Sequence, residues 1–167
     1  ANPVAASVRI IDLSQDFRLQ EQGTSGIGNR KFIYGLPELH KPEIQTAHDI
    51  SNPGCFATAI QLGLLPLAAE NLLETTYSTG ITGSTGAGHQ PSDTTHFSWR
   101  ANNVQAYKTL THQHLQEIQQ TFHQLQPAFP APAQAPAQLH FVPWRGDFPR
   151  GIFISSTLRC ALTLTEL

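Results

Sequence analysis

The chain has 167 residues, of which 40% are hydrophobic and 13% are charged, and its formal net charge at pH 7 is −2. This length suits one compact domain with a substantial core, and the composition is that of a globular rather than a disordered protein. The slight negative charge argues against a nucleic-acid or anionic-membrane partner, because both require a basic surface. No apolar run approaches the roughly 20 residues that a transmembrane helix needs.

The termini and the cysteines bear on the origin of the chain. Residues 1–7 lack the basic start and the apolar stretch of a secretory signal. Cys55 and Cys160 do not form a disulfide framework, so a cytoplasmic location is expected. The chain contains no Met, begins at Ala1 and ends at Leu167 directly after a predicted strand. We therefore expect a piece of a longer polypeptide.

The first half of the chain predicts a strand, loops and one helix. Residues 7–13 are a short β-branched run typical of a strand, and the polar stretch 20–30 indicates a loop. Residues 34–39 contain Gly and Pro, residues that commonly separate regular elements. Residues 56–73 have helical apolar spacing, with Pro66 expected to kink or interrupt the helix.

The second half begins with a predicted strand at 76–82, which runs into a glycine-rich loop at 83–88. Residues 111–126 give the clearest helix, since their apolar side chains form one stripe, and Thr109 or Thr111 could cap its start. The proline-rich segment 127–136 predicts an extended connector.

The last part of the chain predicts a short strand at 139–142 and a long one at 151–164, in which apolar residues alternate with period two. We expect the long strand to be antiparallel, central and half-buried, with its second face available to another subunit. Strands mixed with helices predict an α/β or α+β fold, with a sheet covered by at least two helices.

Cys55 is the strongest candidate for chemistry. It follows the 51–54 turn and opens the predicted helix, where backbone N–H groups carry partial positive charge. Such a position favours the thiolate, which is the nucleophilic form of cysteine. The alternative is a buried structural cysteine, and this is the interpretation favoured for Cys160 on the apolar face of the last strand.

His112 and His114 open the predicted 111–126 helix. A helix N-terminus disfavours the imidazolium, so either ring could accept a proton. A cysteine with a separate histidine is the usual nucleophile–base pair of acyl-transfer chemistry. Two histidines can also bind a metal or have structural roles, but no third ligand suggests itself and no metal is predicted.

Three arginines are candidates for binding a substrate anion. Arg145 and Arg150 flank a short loop before the last strand, and Arg18 follows the first strand, at the kind of strand end where α/β sheets bind ligands. Each could equally be a solvated surface residue. The 83–88 loop could approach an anion or a cofactor closely, although it matches neither the dinucleotide fingerprint nor the P-loop.

Several segments together resemble one family, the N-acetyl-γ-glutamyl-phosphate reductases of arginine biosynthesis, which are relatives of aspartate-semialdehyde dehydrogenase. The matching segments are IDLSQDFR (11–18), YGLPE (34–38), NPGCFAT (52–58), GSTGAG (83–88), HQH (112–114) with EI (117–118), and RGI (150–152). The resemblance spans nearly the whole chain, and the cysteine segment is its most specific part. The chain departs from the family at Phe56-Ala57, where Tyr-Pro is usual, and at Gln113, where Arg is common.

The resemblance implies an α+β catalytic domain like that of glyceraldehyde-phosphate dehydrogenase, with a mixed, largely antiparallel sheet. Residues 51–167 would form this catalytic and oligomerisation domain, and residues 1–50 would be the tail end of a dinucleotide-binding domain. The implied activity is an NADPH-dependent reduction of an N-acyl-γ-glutamyl phosphate to the semialdehyde with release of phosphate. The chain lacks the family's glycine-rich fingerprint, so we expect it to bind no NADP(H) by itself. A homo-oligomer, dimer or tetramer, is expected.

The resemblance also implies roles for individual residues. Cys55 would be the nucleophile that forms a thioester, and His112 would be the acid/base at the developing oxyanion. The implied substrate-binding residues are Arg18, Arg150 and His114. The implied cofactor-binding residues, near the nicotinamide, are Gly83, Ser84, Gly86, Ala87 and Gly88.

Two other interpretations of the sequence stay open. One is another Cys–His acyl-transfer enzyme, a hydrolase or thioesterase, which would share the thioester but need no nicotinamide. The other is a non-catalytic assembly domain, in which the long alternating strand builds a subunit interface. The acyl group on the substrate, acetyl or succinyl, is not determined by the sequence.

Overall fold

The computed structural model describes residues 7–19, 30–88, 90–129, 139–163 and 165–166. The chain divides into two compact units, Ala1–Gly54 and Cys55–Leu167, and each has its own sheet. Most of the predicted 20–30 loop and of the predicted 127–136 connector lies outside the described residues. Within the described part of the chain, no helix is long and apolar enough to cross a membrane.

The first unit contains a parallel three-stranded sheet. Its strands are β1 (Ile10–Asp12), β2 (Phe32–Tyr34) and β3 (Asp49–Ser51), in the order β1-β3-β2. Helix α1 (Pro37–Thr46) connects β2 to β3, as a parallel connection requires. Pro37, in the segment 34–39 that contains Gly and Pro, opens this helix, a position that its fixed φ suits.

A buried ion pair organises this sheet. Asp49 is buried at the start of the central strand, and the guanidinium of Arg30 binds both of its carboxylate oxygens, at 2.8 Å and 2.6 Å. The N–H of Ile10 also donates to this carboxylate, at 3.2 Å. The hydrogen bonds from Arg30 lower the pKa of Asp49 to about 2, against the opposing effect of burial. A single charged group thus links β3, β1 and the segment that leads into β2.

The second unit contains a mixed four-stranded sheet in the order β5-β6-β4-β7. Strands β4 and β6 pair in parallel over seven residues, whereas the pairings of β4 with β7 and of β5 with β6 are antiparallel. The predicted mixed, largely antiparallel sheet is therefore confirmed. The strands of this sheet are β4 (Thr76–Thr82), β5 (Gln105–Ala106), β6 (Leu139–Arg145) and β7 (Ile152–Leu158).

The long alternating segment forms β7, which pairs antiparallel with β4 along its whole length, as predicted. It is shorter than the predicted 151–164, and the central position predicted for it is wrong. Strand β4 is internal instead, because the crossover from β4 to β6 places β6 on the other side of β4. Among the described strands, β7 lies at the edge of the sheet.

Two helices cover one face of this sheet and form the core with it. They are α2 (Cys55–Ala69) and α4 (His114–Leu125), while α3 (Phe97–Arg100) is a single turn in the segment before β5. Helix α2 continues through Pro66, contrary to the predicted interruption. Proline leaves the carbonyl of Leu62 without its helical donor, but Leu62 is exposed and water can replace that donor. The buried apolar residues include Phe56, Ile60, Leu64, Ile118, Phe122, Leu139 and Phe141.

Gly80 is required for the close approach of α2 to the sheet. A Cβ at Gly80 in β4 would clash with the side chain of Ile154 and lie 2.8 Å from the ring of Phe56. We expect Gly80→Ala to destabilise the protein by roughly 1–3 kcal/mol, because the packed core cannot absorb the added methyl group. Chemical denaturation measures this loss.

Gly63→Ala is the matched control for that substitution. Gly63 lies inside α2, and apart from its chain neighbours and the backbone of its own helix no heavy atom lies within 4 Å of the position its Cβ would occupy. Since alanine is the better helix former, this change should stabilise the protein by about 0.5–1 kcal/mol. Equal effects of the two substitutions would contradict the packing described at Gly80.

Among the described residues, no helix covers the second face of the sheet. Alternate residues of β4, β6 and β7 point to this face, which we call the outer face, and several are large and exposed. Tyr77 is 59% exposed, Trp144 37% and Phe153 66%. The Tyr77 ring stacks on His140 with 4.8 Å between centroids, and the Trp144 indole N–H donates to the Thr79 hydroxyl at 3.0 Å.

Candidate active site

Cys55, His112 and His114 line one cavity of about 400 Å³ in the second unit. The cavity lies where the N-terminal ends of α2 and α4 meet the ends of β4 and β6. The structure thus brings Cys55 together with two histidines that are distant from it in sequence, which only the tertiary fold can do.

Cys55 is the first residue of the 15-residue helix α2 and carries an exposed, free thiol. The next side chain, Phe56, is fully buried and packs its ring against Phe141, with 5.0 Å between centroids. The buried Phe56 fixes the start of the helix, so Cys55 is held at the positive end of the helix dipole while its sulfur stays accessible. An accessible thiol at a helix N-terminus is a typical setting for a nucleophilic cysteine.

His112 is buried between aromatic rings and is neutral at pH 7. Its ring lies edge-on to Phe56, Tyr107 and Phe141, with centroid distances of 5.6–5.8 Å. Burial, followed by the positive charges of Lys108 and Arg145, lowers its pKa to about 4. The ring therefore resists protonation, as the sequence analysis predicted, although the main cause is burial rather than the helix terminus.

The backbone determines which nitrogen of His112 carries the proton. Nδ1 accepts a hydrogen bond from the backbone N–H of His114 at 3.2 Å. In the neutral ring the proton is then on Nε2, so the remaining polar group of the ring is an N–H donor. This bond also gives the first N–H of α4 an acceptor outside the helix. Thr109 and Thr111, the predicted caps, do not occupy the N-cap position. That position is Gln113, whose side chain makes no capping bond.

His114 is the first residue of α4 and is also buried. Its ring centroid lies 4.5 Å from that of His112, and its Nε2 lies 3.8 Å from Oε1 of Glu117. In the predicted 111–126 helix both histidines would be helical, and two residues apart they would point about 200° away from each other around the axis. Because the helix begins only at His114, that rotation does not apply, and both rings line the cavity. Among the described residues, no three His, Cys, Asp or Glu side chains are grouped as a metal site needs.

The cavity also contains two cationic side chains, Lys108 and Arg145. Arg145 ends β6, and its guanidinium carbon lies 4.6 Å from the centroid of the Tyr107 ring. The Lys108 ammonium donates to the side-chain oxygen of Gln113 at 2.8 Å. Lys108 and Tyr107 were not predicted as site residues. Arg145 was predicted only as one of two candidate anion-binding arginines, with Arg150, on either side of the loop before β7. Period-two alternation from Leu139 along β6 would have placed Arg145 on the helix-covered face.

The two arginines predicted to bind substrate are located elsewhere. Arg150 is exposed in the turn before β7 and is not among the residues that line this cavity. Arg18 lies in the first unit, where its Nε donates to the carbonyl of Asn52 at 2.8 Å and its second nitrogen donates to the carbonyl of Leu13 at 3.1 Å. Both contacts are local to that unit.

The glycine-rich loop is attached to the turn that precedes β7. The N–H groups of Gly83, Ser84 and Thr85 donate to carbonyls of residues 148–151, at 2.9–3.0 Å. A Cβ at Gly83 would lie 2.6 Å from the backbone of this turn, so glycine is required there. These three donors are therefore not available to an anion.

Only part of the predicted cofactor-binding segment reaches the cavity. Gly86 and Ala87, in the 3₁₀ turn Ser84–Ala87, line its wall, whereas Gly83, Ser84 and Gly88 do not. Gly88 ends this turn with a positive φ of 82°, a conformation that glycine adopts without strain.

Comparison with known families defines the class of protein to which this fold and cavity belong. Residues 55–167 match the family described as semialdehyde dehydrogenase, dimerisation domain. The match begins at Cys55 and covers the whole second unit. The chain therefore belongs to the semialdehyde dehydrogenase family.

Its curated relatives are more specific. An N-acetyl-γ-glutamyl-phosphate reductase of Phocaeicola vulgatus is 49% identical over 98% of this chain and 48% of the relative. Reductases of the same name from Flavobacterium johnsoniae and Bacteroides fragilis are 49% and 47% identical, over 99% and 98% of this chain and 49% and 48% of their own lengths. The family predicted from the sequence motifs is thus confirmed. The chain spans about half the length of the curated relatives it matches.

Solved structures support the fold. Aspartate semialdehyde dehydrogenase II from Vibrio cholerae superposes with a TM-score of 0.60 at 13% sequence identity, over 92% of this chain and 49% of that one. The same enzyme in complex with ASA gives a TM-score of 0.56 over 87% of this chain and 46% of that one. The predicted fold class is confirmed by this similarity.

Proposed function

We propose that this chain provides the catalytic cysteine and the substrate cavity of an N-acyl-γ-glutamyl-phosphate reductase that uses NADPH. The observation that carries the proposal is the accessible Cys55 at a helix N-terminus, in one cavity with His112, in a chain whose relatives are named for this reaction. The reaction converts the acyl phosphate, NADPH and a proton into the semialdehyde, NADP⁺ and inorganic phosphate.

In the first step the Cys55 thiolate attacks the acyl carbonyl carbon. A C–S bond forms, the C–O bond to phosphate breaks, and phosphate leaves with the bonding electron pair. The product of this step is a thioester on Cys55. Because Cys55 opens α2, the reacting carbonyl would lie at the positive end of the helix dipole, which favours the negative charge that develops on its oxygen.

His112 would serve this reaction as a hydrogen-bond donor. Its Nδ1 is occupied by the backbone N–H of His114, which leaves the Nε2–H for the substrate oxygen. A neutral donor suits this role, since it stabilises an oxyanion and can transfer a proton to it as the tetrahedral intermediate collapses. His114, in contact with the same cavity and ring, would orient His112 and contact substrate.

We further propose that NADPH is held mainly by residues beyond this chain. Gly86 and Ala87 form a cavity wall without bulky side chains, which suits a planar ring, and they would flank the nicotinamide. When bound, the cofactor supplies the hydride that reduces the thioester carbonyl. Residues 1–50, which contain most of the parallel sheet and helix α1, would be the tail end of the dinucleotide-binding domain, and residues 51–167 the catalytic and oligomerisation domain.

A steady-state assay of the full-length polypeptide tests the proposed function. With an N-acyl-γ-glutamyl phosphate as substrate, NADPH absorbance should fall as phosphate is released in equal amount. Phosphate release without NADPH consumption would indicate a hydrolase. If neither phosphate release nor NADPH consumption occurs, the result would indicate an assembly domain. Comparing the acetyl and succinyl substrates in the same assay identifies the acyl group.

We propose that the protein forms a homo-oligomer through the outer face of the four-stranded sheet. The family matched by residues 55–167 is described as a dimerisation domain, and the outer face carries the exposed rings of Tyr77, Trp144 and Phe153. Aromatic side chains of this kind are enriched in stable interfaces. A second copy of the sheet would bury them.

Phe153→Lys should therefore dissociate the oligomer. A charge at a desolvated aromatic position costs about 2 kcal/mol or more in association, so the mass measured by light scattering should shift toward the monomer. Leu62→Lys is the matched control, because Leu62 is 44% exposed on α2, away from the sheet. An unchanged mass for Phe153→Lys, or an equal shift for Leu62→Lys, would exclude the outer face as the interface.

A further inference from the structure

The described lining of the Cys55 cavity is positively charged and contains no acidic residue. Lys108 and Arg145 contribute two cations, and no Asp or Glu is among the described residues that line the cavity, although Glu117 lies behind His114, 3.8 Å from its Nε2. Their positive charges reach His112, whose pKa both of them lower. A cavity whose lining carries positive charge is complementary to a ligand that has more than one negative group.

Arg145 is held in place without a carboxylate partner. Its guanidinium lies over the Tyr107 ring, at 4.6 Å from the centroid, and its backbone is paired with Thr82 and Gln105 in the sheet. Within the described part of the chain, no Asp or Glu lies at ion-pair distance from it. The nearby carboxylate of Asp147 accepts the backbone N–H of Asn102 instead, at 2.6 Å.

Two further observations indicate that Arg145 is arranged for a ligand. Its Nε is buried and has no hydrogen-bond acceptor among the described residues, which is costly unless a bound molecule supplies one. In addition, Arg100 lies close enough for Arg145 to lower its pKa, although burial of Arg100 is the larger cause. The charge of Asp147 acts on the pKa of Arg100 in the opposite direction and offsets part of this repulsion, and an anion bound at Arg145 would offset more of it.

We propose that Arg145, positioned by Tyr107, binds the substrate carboxylate that is remote from the reacting carbonyl. This inference rests on the proposed function and names a specificity residue for it. The acyl phosphate has two anionic groups, of which phosphate leaves in the first step and the carboxylate stays bound through both steps. Lys108 is exposed at the cavity and suits the phosphate, which leaves after the first step. Arg145 is half-buried and suits the carboxylate, which stays bound. A guanidinium also matches a carboxylate with two parallel hydrogen bonds.

Tyr107 is a positioning residue in this arrangement, since it acts on the substrate through Arg145. The ring face attracts the guanidinium and restricts its plane. Burial raises the pKa of Tyr107, and a hydrogen bond between its hydroxyl and Arg145 opposes that rise, so the hydroxyl also holds the guanidinium. Tyr107→Phe keeps the ring face but loses this bond and should weaken carboxylate binding about threefold, whereas Tyr107→Leu loses both and should weaken it about tenfold.

The test measures ligand protection of Cys55 in the full-length polypeptide. The rate of Cys55 alkylation by iodoacetamide is followed against N-acetylglutamate, which has the carboxylates but no phosphate, and separately against inorganic phosphate. Arg145→Gln should raise the N-acetylglutamate concentration for half-protection about 30-fold or more and leave that for phosphate unchanged. Arg145→Lys should give a smaller rise, about tenfold, and serves as the second variant if Arg145→Gln does not fold. Arg9→Gln, an exposed arginine of the first unit, should change neither value.

In steady-state kinetics, Arg145→Gln should raise KM for the acyl phosphate by a similar factor and change kcat little. Weakened protection by phosphate with unchanged protection by N-acetylglutamate would overturn the proposal and assign Arg145 to the phosphate. Unchanged protection by both probes would also overturn it. Because protection of Cys55 requires no turnover, this outcome is separate from failure of the proposed function, which would appear as a wild-type protein that consumes no NADPH.

Discussion

Cys55→Ser should lower kcat for NADPH-dependent reduction by at least about 10³-fold while the protein stays folded. The sulfur of Cys55 is exposed at the start of α2, and serine in its place keeps the size and the helix start but is a far weaker nucleophile. Substrate contacts made by the rest of the cavity are retained, so KM should change much less than kcat. Steady-state kinetics with circular dichroism of the folded variant measure both effects.

Cys160→Ser is the matched control for this substitution. Cys160 is half-buried and follows the end of β7, outside the cavity. Its replacement should affect stability at most and leave kcat within about twofold. Comparable losses in the two variants, or near-normal turnover by Cys55→Ser, would exclude Cys55 as the covalent nucleophile.

His112→Asn should lower kcat about 10²–10³-fold, the usual cost of losing one donor to a developing oxyanion. The asparagine oxygen can still accept the N–H of His114 in place of Nδ1, so the start of α4 is kept while the Nε2–H is lost. His123→Asn tests the same change near the other end of α4, where the histidine contacts the carbonyl of Phe129, and turnover should be unaffected. Equal activities of the two variants would remove His112 from the mechanism.

The pH dependence gives a second reading of His112. Because its pKa is lowered to about 4, the ring is neutral at pH 7 and the acid limb of kcat/KM that belongs to it should lie near pH 4 rather than near 6.5. Between these values the unfolded chain binds a proton that the folded chain does not, so stability should fall as the pH decreases through this range. An NMR titration of the His112 ring showing an ordinary midpoint near 6.5 would contradict the burial argument.

The strands that sequence reasoning located best are those with one covered face. Residues 76–82 form β4 as predicted, and the alternation after Gly151 gave β7, because period-two burial is written directly into the order of side chains. The position of β7 in the sheet depended on which strand occupies the other side of β4. That is a property of the crossover to β6, and no local pattern encodes it.

The first unit was predicted less well because its elements are short. Strands β2 and β3 have three residues each, which is too short to show the alternation of a strand. Helix α1 contains Pro42 and a non-helical conformation at His40, so the sequence does not show a regular helical period there either. The pair of Arg30 with Asp49, which links these strands, joins residues 19 positions apart, and its partners look like surface charges until the fold buries the carboxylate.

Some residues of the candidate site could be predicted from the sequence, and others could not. Cys55 and the two histidines could be found from residue type, placement near helix starts and the family resemblance, and one cavity brings them together. The sequence predicted Arg150 rather than Arg145 as a substrate-binding residue, because the family segment RGI (150–152) contains Arg150 and not Arg145. The choice between them depends on which side chain faces the helices, and this follows from the register of β6.

The thioester mechanism is tested most directly by the mass of the protein after the acylation step alone. Full-length polypeptide mixed with the acyl phosphate in the absence of NADPH should release one phosphate and gain one acyl group per chain. Peptide mapping should place that acyl group on Cys55, and added NADPH should discharge it as the semialdehyde. No acyl adduct, or an adduct on a residue other than Cys55, would contradict a thioester mechanism in this cavity.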